Sequence, residues 1–131
     1  GVGGGSSHDP NLAAWTDILD KINALFEDED FDPNSVQTWV QGVVTILVQN
    51  EDLRNQASAN TKEQFRESQT LEDAVNDAVL DHQDTQSFIT DKFFENPHRR
   101  AKMLTMLSDL VYLEVQSQAK QAQQNEADEE S

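Results

Sequence analysis

At 131 residues, with 36% hydrophobic content, the chain has room for one core and not two, and its polar surplus points to hydrophilic ends around a smaller folded centre. Nine Lys and Arg face 25 Asp and Glu, a formal net charge of −16, and such a surface repels polyphosphate, which argues against autonomous, strong nucleic-acid binding but not against a contact made inside a larger assembly. Cysteine is absent, which excludes disulfides and thiolate-bound metal.

Gly1–Ser7 is Gly/Ser-rich, so residues 1–8 read as a flexible linker. It lacks the basic and apolar blocks of a secretory signal, and no apolar run approaches the ~20 residues of a membrane span, so a soluble cytoplasmic protein is expected. Residues 9–119 carry helical periodicity throughout and predict an all-α, compact bundle of five to six helices. Residues 120–131 form a polar acidic tail, its end Glu126–Ser131 expected to lack structure.

Three helix starts are written as an N-cap followed by proline: Asp9-Pro10, Asp32-Pro33 and Asn96-Pro97. After the first, Leu12, Trp15, Ile18, Leu19, Ile22, Leu25 and Phe26 recur at spacings of three and four and form one apolar stripe. After the second come Val36, Trp39, Val40, Val43, Val44 and Leu47. Their β-branched members lower helix propensity, so burial must hold this helix, and a central position is expected. A short helix is expected from Arg54 to Asn60. Thr61 with Gln64 reads as a capping box, and Thr70 with Asp73 as its acidic variant. Thr70 is expected to open a long helix whose inner face carries Leu71, Val75, Ala78, Val79, His82, Ile89 and Phe93. The last helix starts near Pro97 with Leu104, Leu107, Leu110, Val111 and Val115 inward. Trp15, Trp39, Phe65 and Tyr112 are expected to be substantially buried.

Few residues can be organised into chemistry. Asp28, Asp30, Asp32 and Asn34 alternate as in a calcium loop, but Pro33 stands where glycine is needed and Trp39 where a bidentate glutamate is needed. A solvated acidic loop that favours the next helix dipole is the expectation. Gly1-Val2-Gly3-Gly4-Gly5 follows no strand and precedes no Gly-Lys-Ser/Thr, so it is no phosphate loop. His8, His82 and His98 lack partners at metal spacing, and His82 reads as a hydrogen-bonded packing residue. No catalytic, cofactor-binding or metal site is therefore expected in this domain.

Two basic stretches stand out in an acidic chain. Residues 8–50 hold eight acids and only Lys21 as a base. Arg54, Lys62 and Arg66 then fall in one segment, and His98, Arg99, Arg100 and Lys102 at one helix start. The second cluster either pairs with neighbouring acids or binds an anion beside free helix N–H groups. These seven residues are the candidate contacts to a partner or to DNA, and reversing Arg99 and Arg100 is expected to leave stability nearly unchanged.

The segment Leu53-Arg54-x-Gln56-Ala57-x-x-Asn60-Thr61-Lys62-Glu63-Gln64-Phe65-x-x-Ser68, followed by Leu71, Ala74 and Ala78, resembles the C-terminal region of type I restriction–modification R subunits. Its continuation agrees, through Ala78-Val79, Asp81, Gln83 and Asp84, the Phe93-Phe94 pair and Leu110-Val111-Tyr112. So does the Gly/Ser run leading to Ile22-Asn23-Ala24-Leu25-Phe26. The resemblance spans roughly residues 5–115, and Asn60–Phe65 is its specific part.

The resemblance implies a helical C-terminal module of an ATP-dependent DNA translocase and endonuclease. The parent's nuclease and helicase motifs match no position here, and its ATP and Mg would be used in other domains. The implied partners are the methyltransferase and specificity subunits, with weak contact to double-stranded DNA and none to a membrane. The alternatives are a helical adaptor unrelated to restriction and, third, a small hydrolase or metal-binding regulator, for which no convergent site is readable.

Overall fold

Local capping chemistry sets most of the helix boundaries in the computed structural model, which describes residues 10–82 and 87–130. Among the described residues there are seven α-helices and no strand. In chain order they are α1 (Pro10–Leu25), α2 (Pro33–Val48), α3 (Glu51–Ala59), α4 (Lys62–Arg66), α5 (Gln69–Asp81), α6 (Ser87–Glu95) and α7 (Pro97–Glu130), with a 3-10 turn at Glu27–Glu29. None of them is long and apolar enough to cross a membrane.

Asp32 caps α2, its Oδ1 accepting the Asn34 N–H at 3.2 Å with Pro33 at the first helical position. Asn96 caps α7 by accepting the His98 and Arg99 N–H groups at 2.9 and 3.2 Å. The Thr61–Gln64 capping box forms in both directions, at 3.2 and 3.0 Å. The expected cap at Asp9 lies outside the described residues.

Three expectations need correction. The short helix expected from Arg54 begins earlier, at Glu51, because Asn50 caps it through the Leu53 N–H. Helix α5 starts at Gln69 and is capped by Ser68, not Thr70; the Ser68 oxygen accepts the Leu71 N–H while its hydroxyl donates to Gln56 Oε1. The long helix expected through Phe93 is two helices, α5 ending at Asp81 and α6 beginning at Ser87, which raises the number from six to seven. Helix α7 continues past Ala119 through the Gln/Ala stretch, whose composition allows a helix, and on to Glu130, within the end that was expected to lack structure.

The long helix α7 packs against all six others, and α2 is the second organising element, touching α1, α3, α5 and α7. The β-branched stripe of α2 is buried as expected: Val36, Trp39, Val40, Val43, Val44 and Leu47 all face inward. Trp39 is fully enclosed, its indole N–H donates to the buried Thr90 hydroxyl at 3.1 Å, and its ring lies 5.8 Å from Phe93. That bond ties α2 to α6 and satisfies the one polar atom the indole brings inside. Met103, Leu107, Leu110 and Val111 of α7 complete the core with Leu53, Phe65, Leu71 and Val79. Trp39 and Phe65 are thus fully buried, and Trp15 and Tyr112 are part-buried against its edge.

His82 ends α5 and packs on Gly42 of α2, where a Cβ would overlap the imidazole ring. It is a packing residue as expected, but its Nε2 is buried without a hydrogen-bond partner. Alanine at a helix-interior glycine ordinarily adds about 1 kcal/mol. Gly42→Ala should forfeit that gain in the native background and recover it in a His82→Ala background. A double-mutant cycle in urea is expected to give a coupling of ~1 kcal/mol or more; additive changes would show that the ring swings aside freely.

Candidate functional site

The Leu53–Ser68 segment folds as a set of caps and anchors against α7. Asn60 leaves α3 in an extended conformation and Thr61 at once starts α4, so the chain turns within two residues. Phe65 is fully buried, with its ring 6.0 Å from that of Tyr112. Two carbonyls freed at the end of α3 are taken up from α7: Tyr112 donates its hydroxyl to Asn60 O at 3.3 Å, and Gln116 donates Nε2–H to Ala57 O at 3.0 Å. Arg66 donates Nε–H and Nη2–H to the two carboxylate oxygens of Asp109, both at 2.8 Å. Chiefly through those hydrogen bonds, Asp109 holds the Arg66 guanidinium above its ordinary pKa. Arg66 is therefore a two-pronged clamp between α4 and α7, and not a free contact. Arg54 is exposed and Lys62 part-exposed, and neither joins an ion pair among the described residues.

The second basic stretch divides in the same way. Arg99 folds back toward the acidic loop, reaching Glu29 Oε2 at 3.3 Å with its guanidinium carbon 5.3 Å from the Phe26 ring centroid. Its side chain is only 14% exposed. Of the two readings of its cluster, Arg99 follows the pairing with a neighbouring acid: it joins α7 to the turn after α1. Arg100, part-exposed, lines a small cleft of about 130 Å3 with Glu72, Asn76, Phe93 and Leu104. His98 and Lys102 are exposed. Asn96 already occupies the His98 and Arg99 N–H groups, which weakens the case for an anion at this helix start. Arg66 bonds to Asp109, ten positions along α7 from Arg99, about 15 Å of helix, so the seven candidates form two separate sites and not one patch.

In the acidic loop, Asp30 takes a left-handed conformation, φ 57°, which an aspartate tolerates better than most residues. Among the described residues no group of three or more acidic or histidine side chains is placed to hold a metal ion. Glu29 differs from its neighbours: it binds Lys92 at 3.2 Å as well as Arg99, and Lys92 also reaches Glu95 at 3.0 Å. The Lys92 hydrogen bond above all, with the nearby charges of Lys92 and Arg99, lowers the Glu29 pKa despite some desolvation. A carboxylate whose folded pKa is depressed adds stability above its unfolded pKa and loses it as pH falls through the folded one. Acid below about pH 4.5 should thus destabilise the native chain more than a Glu29→Gln variant. Comparing the two melts cancels the general relief of negative charge in acid; parallel pH profiles would contradict the linkage.

Two concave surfaces were not apparent from residue spacing. Adjoining clefts of about 380 and 250 Å3 share Trp15, Gln41 and Glu114 and lie between α1, α2 and α7. A third, of about 370 Å3, opens where α1 turns into α2 and is lined by Asp20, Asn23, Phe26, Glu27, Asp30 and Phe31, among others. The sequence signal for the third was an aromatic residue, Phe31, set inside the acidic run. For the first it was Trp15 on an apolar stripe, which pointed to the core instead. No protein-family model, curated protein or solved structure matches this chain.

Proposed function

We propose that the chain is the non-catalytic, helical C-terminal module of a type I restriction R subunit, joining the motor to the methyltransferase–specificity core. Contact with double-stranded DNA is weak and secondary, and the ATP and Mg chemistry belongs to other domains of the parent. The observation that carries this reading is the Leu53–Ser68 segment, on which the resemblance rests. Its inward residues are spent on a rigid junction with α7, while Arg54, Asn55 and Ser58 stay exposed. Residues that build a scaffold and present a polar face suit docking better than turnover. A second reading, an adaptor unrelated to restriction, is favoured by the open groove around Trp15, which suits a partner helix whatever the parent.

Co-purification with a methyltransferase–specificity complex tests the first reading. The wild-type chain should be retained, and Arg54→Glu combined with Lys62→Glu should weaken retention at least tenfold with Tm nearly unchanged. A folded wild-type chain that is not retained would refute the assembly role. ATPase activity abolished by a point change in this chain would refute the absence of catalysis.

A further inference from the structure

Four of the nine Lys and Arg residues, Lys21, Arg66, Lys92 and Arg99, are already held in ion pairs within the chain. What remains for a partner is overwhelmingly negative. The cleft between α1 and α2 concentrates that charge on an apolar base: Asp20, Glu27 and Asp30 line it together with Phe26, Phe31 and Val36. None of these three carboxylates joins an ion pair among the described residues. Asn23, also in the lining, has a buried side-chain oxygen with no hydrogen-bond partner.

The aromatic residues extend beyond the cleft. Phe26 lies 5.6 Å from Phe31, and Phe31 lies 5.1 Å edge-on from Phe88, which is 47% exposed. A file of rings thus leads from the acidic cleft to an apolar shoulder on α6. The same loop already holds one guanidinium by this chemistry, since Arg99 pairs with Glu29 while lying over the Phe26 ring.

We propose that this cleft docks a basic segment of a protein partner, with an arginine side chain entering among Asp20, Glu27 and Asp30 and the segment's apolar residues resting on Phe88. Arginine fits better than lysine because its planar, weakly hydrated head stacks on rings while donating to several carboxylates. The volume of about 370 Å3 falls at the low end of small-ligand pockets, ~300–1,000 Å3, and accepts an extended side chain. Nucleic acid is disfavoured by phosphate repulsion. The inference concerns partner chemistry and stands whether or not the chain belongs to a restriction motor.

The test is binding of a short fluorescein-labelled arginine–leucine peptide to the whole chain, read by anisotropy at physiological salt. There the screening length is about 8 Å and diffuse attraction is damped. Neutralising the cleft with Asp20→Asn, Glu27→Gln and Asp30→Asn should weaken binding at least tenfold. An equal neutralisation elsewhere, Glu67→Gln, Asp77→Asn and Asp81→Asn, should change it less than about twofold. Phe88→Ala, at an exposed position, should weaken it severalfold and serves as the second variant if the cleft triple fails to fold. A lysine–leucine peptide of equal charge should bind more weakly. Equal loss from the two triples would reduce the effect to overall charge and overturn the proposal. So would failure of the wild-type chain to bind the arginine peptide, or saturable Ca2+ binding that requires Asp20 and Asp30 without peptide binding.

Discussion

Replacing Phe65 by Ala is expected to lower the unfolding free energy by about 3–5 kcal/mol, the cost of deleting a buried aromatic ring and leaving a cavity. The side chain is fully enclosed and forms a tilted pair with Tyr112. It is also the one buried residue of α4, a helix of five residues, far too short to persist on its own propensity. The surroundings have little freedom to close the gap, since α3 and α5 flank it with their own caps and α7 behind it is the hub of the fold. Loss of the ring should also loosen the next residue, Arg66, from Asp109, coupling a core defect to a part-buried ion pair. Phe88→Ala removes the same ring from a position 47% exposed and should cost under about 1 kcal/mol. Urea melts of both variants with unchanged m-values make the comparison. A cost below about 1 kcal/mol at Phe65 would mean that α4 lies loosely on the core and that Tyr112 and the Asn60 carbonyl hold it.

The parts of the fold that could be read in advance are those whose physics is local. Asp32-Pro33, Asn96-Pro97 and Thr61 with Gln64 place donor and acceptor within three residues of each other, so sequence order alone brings them together. The start of α5 was misplaced because two hydroxyls compete two residues apart. Ser68 prevails in the structure, where it also binds Gln56 of α3, a partner that no spacing reveals. The break between α5 and α6 was hidden for a related reason. Val75, Val79, Ile89 and Phe93 keep an apolar rhythm on both sides of it, no proline or glycine marks it, and both pieces bury their stripe in one core. Periodicity reports which side faces inward and not whether the axis continues.

The candidate site was legible as composition and not as availability. Arg66 finds its acid 43 residues away and Arg99 finds its acid 70 residues away. Both bases belonged to clusters that looked like contact surfaces. Glu29 was grouped with a solvated run, yet it anchors two cations, whereas Asp30 next to it and Asp20 on α1 remain without an ion partner among the described residues. Charge counts along a chain locate excess; only tertiary pairing shows which charges are left for a partner.

That distinction makes opposite predictions for two adjacent arginines. Arg99→Glu is expected to lower Tm by roughly 5–10 °C, and Arg100→Glu by no more than a few degrees. Both changes place a carboxylate in the first turn of α7, where the helix dipole favours it by ~0.3–1 kcal/mol. At position 100, which joins no ion pair among the described residues, that gain stands against the loss of a part-exposed cation near Glu72 and the two nearly cancel. At position 99 the gain is outweighed. The change removes a cation lying over Phe26, an interaction of ~0.5–2 kcal/mol, and sets two carboxylates together where Arg99 now meets Glu29. Arg99→Lys should fall between, because an ammonium keeps the charge but loses the planar contact with the ring. Melts of the three variants in low and high salt separate the contributions: the like-charge part of the Arg99→Glu loss shrinks with salt, and the lost ring contact does not. Equal Tm shifts at 99 and 100 would place both residues in the same environment and break the assignment of Arg99 to the α1–α7 junction. If the shifts differ as expected, weaker partner binding by an Arg99 variant reports a loosened fold. Arg54, Lys62, Arg100 and Lys102 are then the positions at which charge reversal tests contact itself.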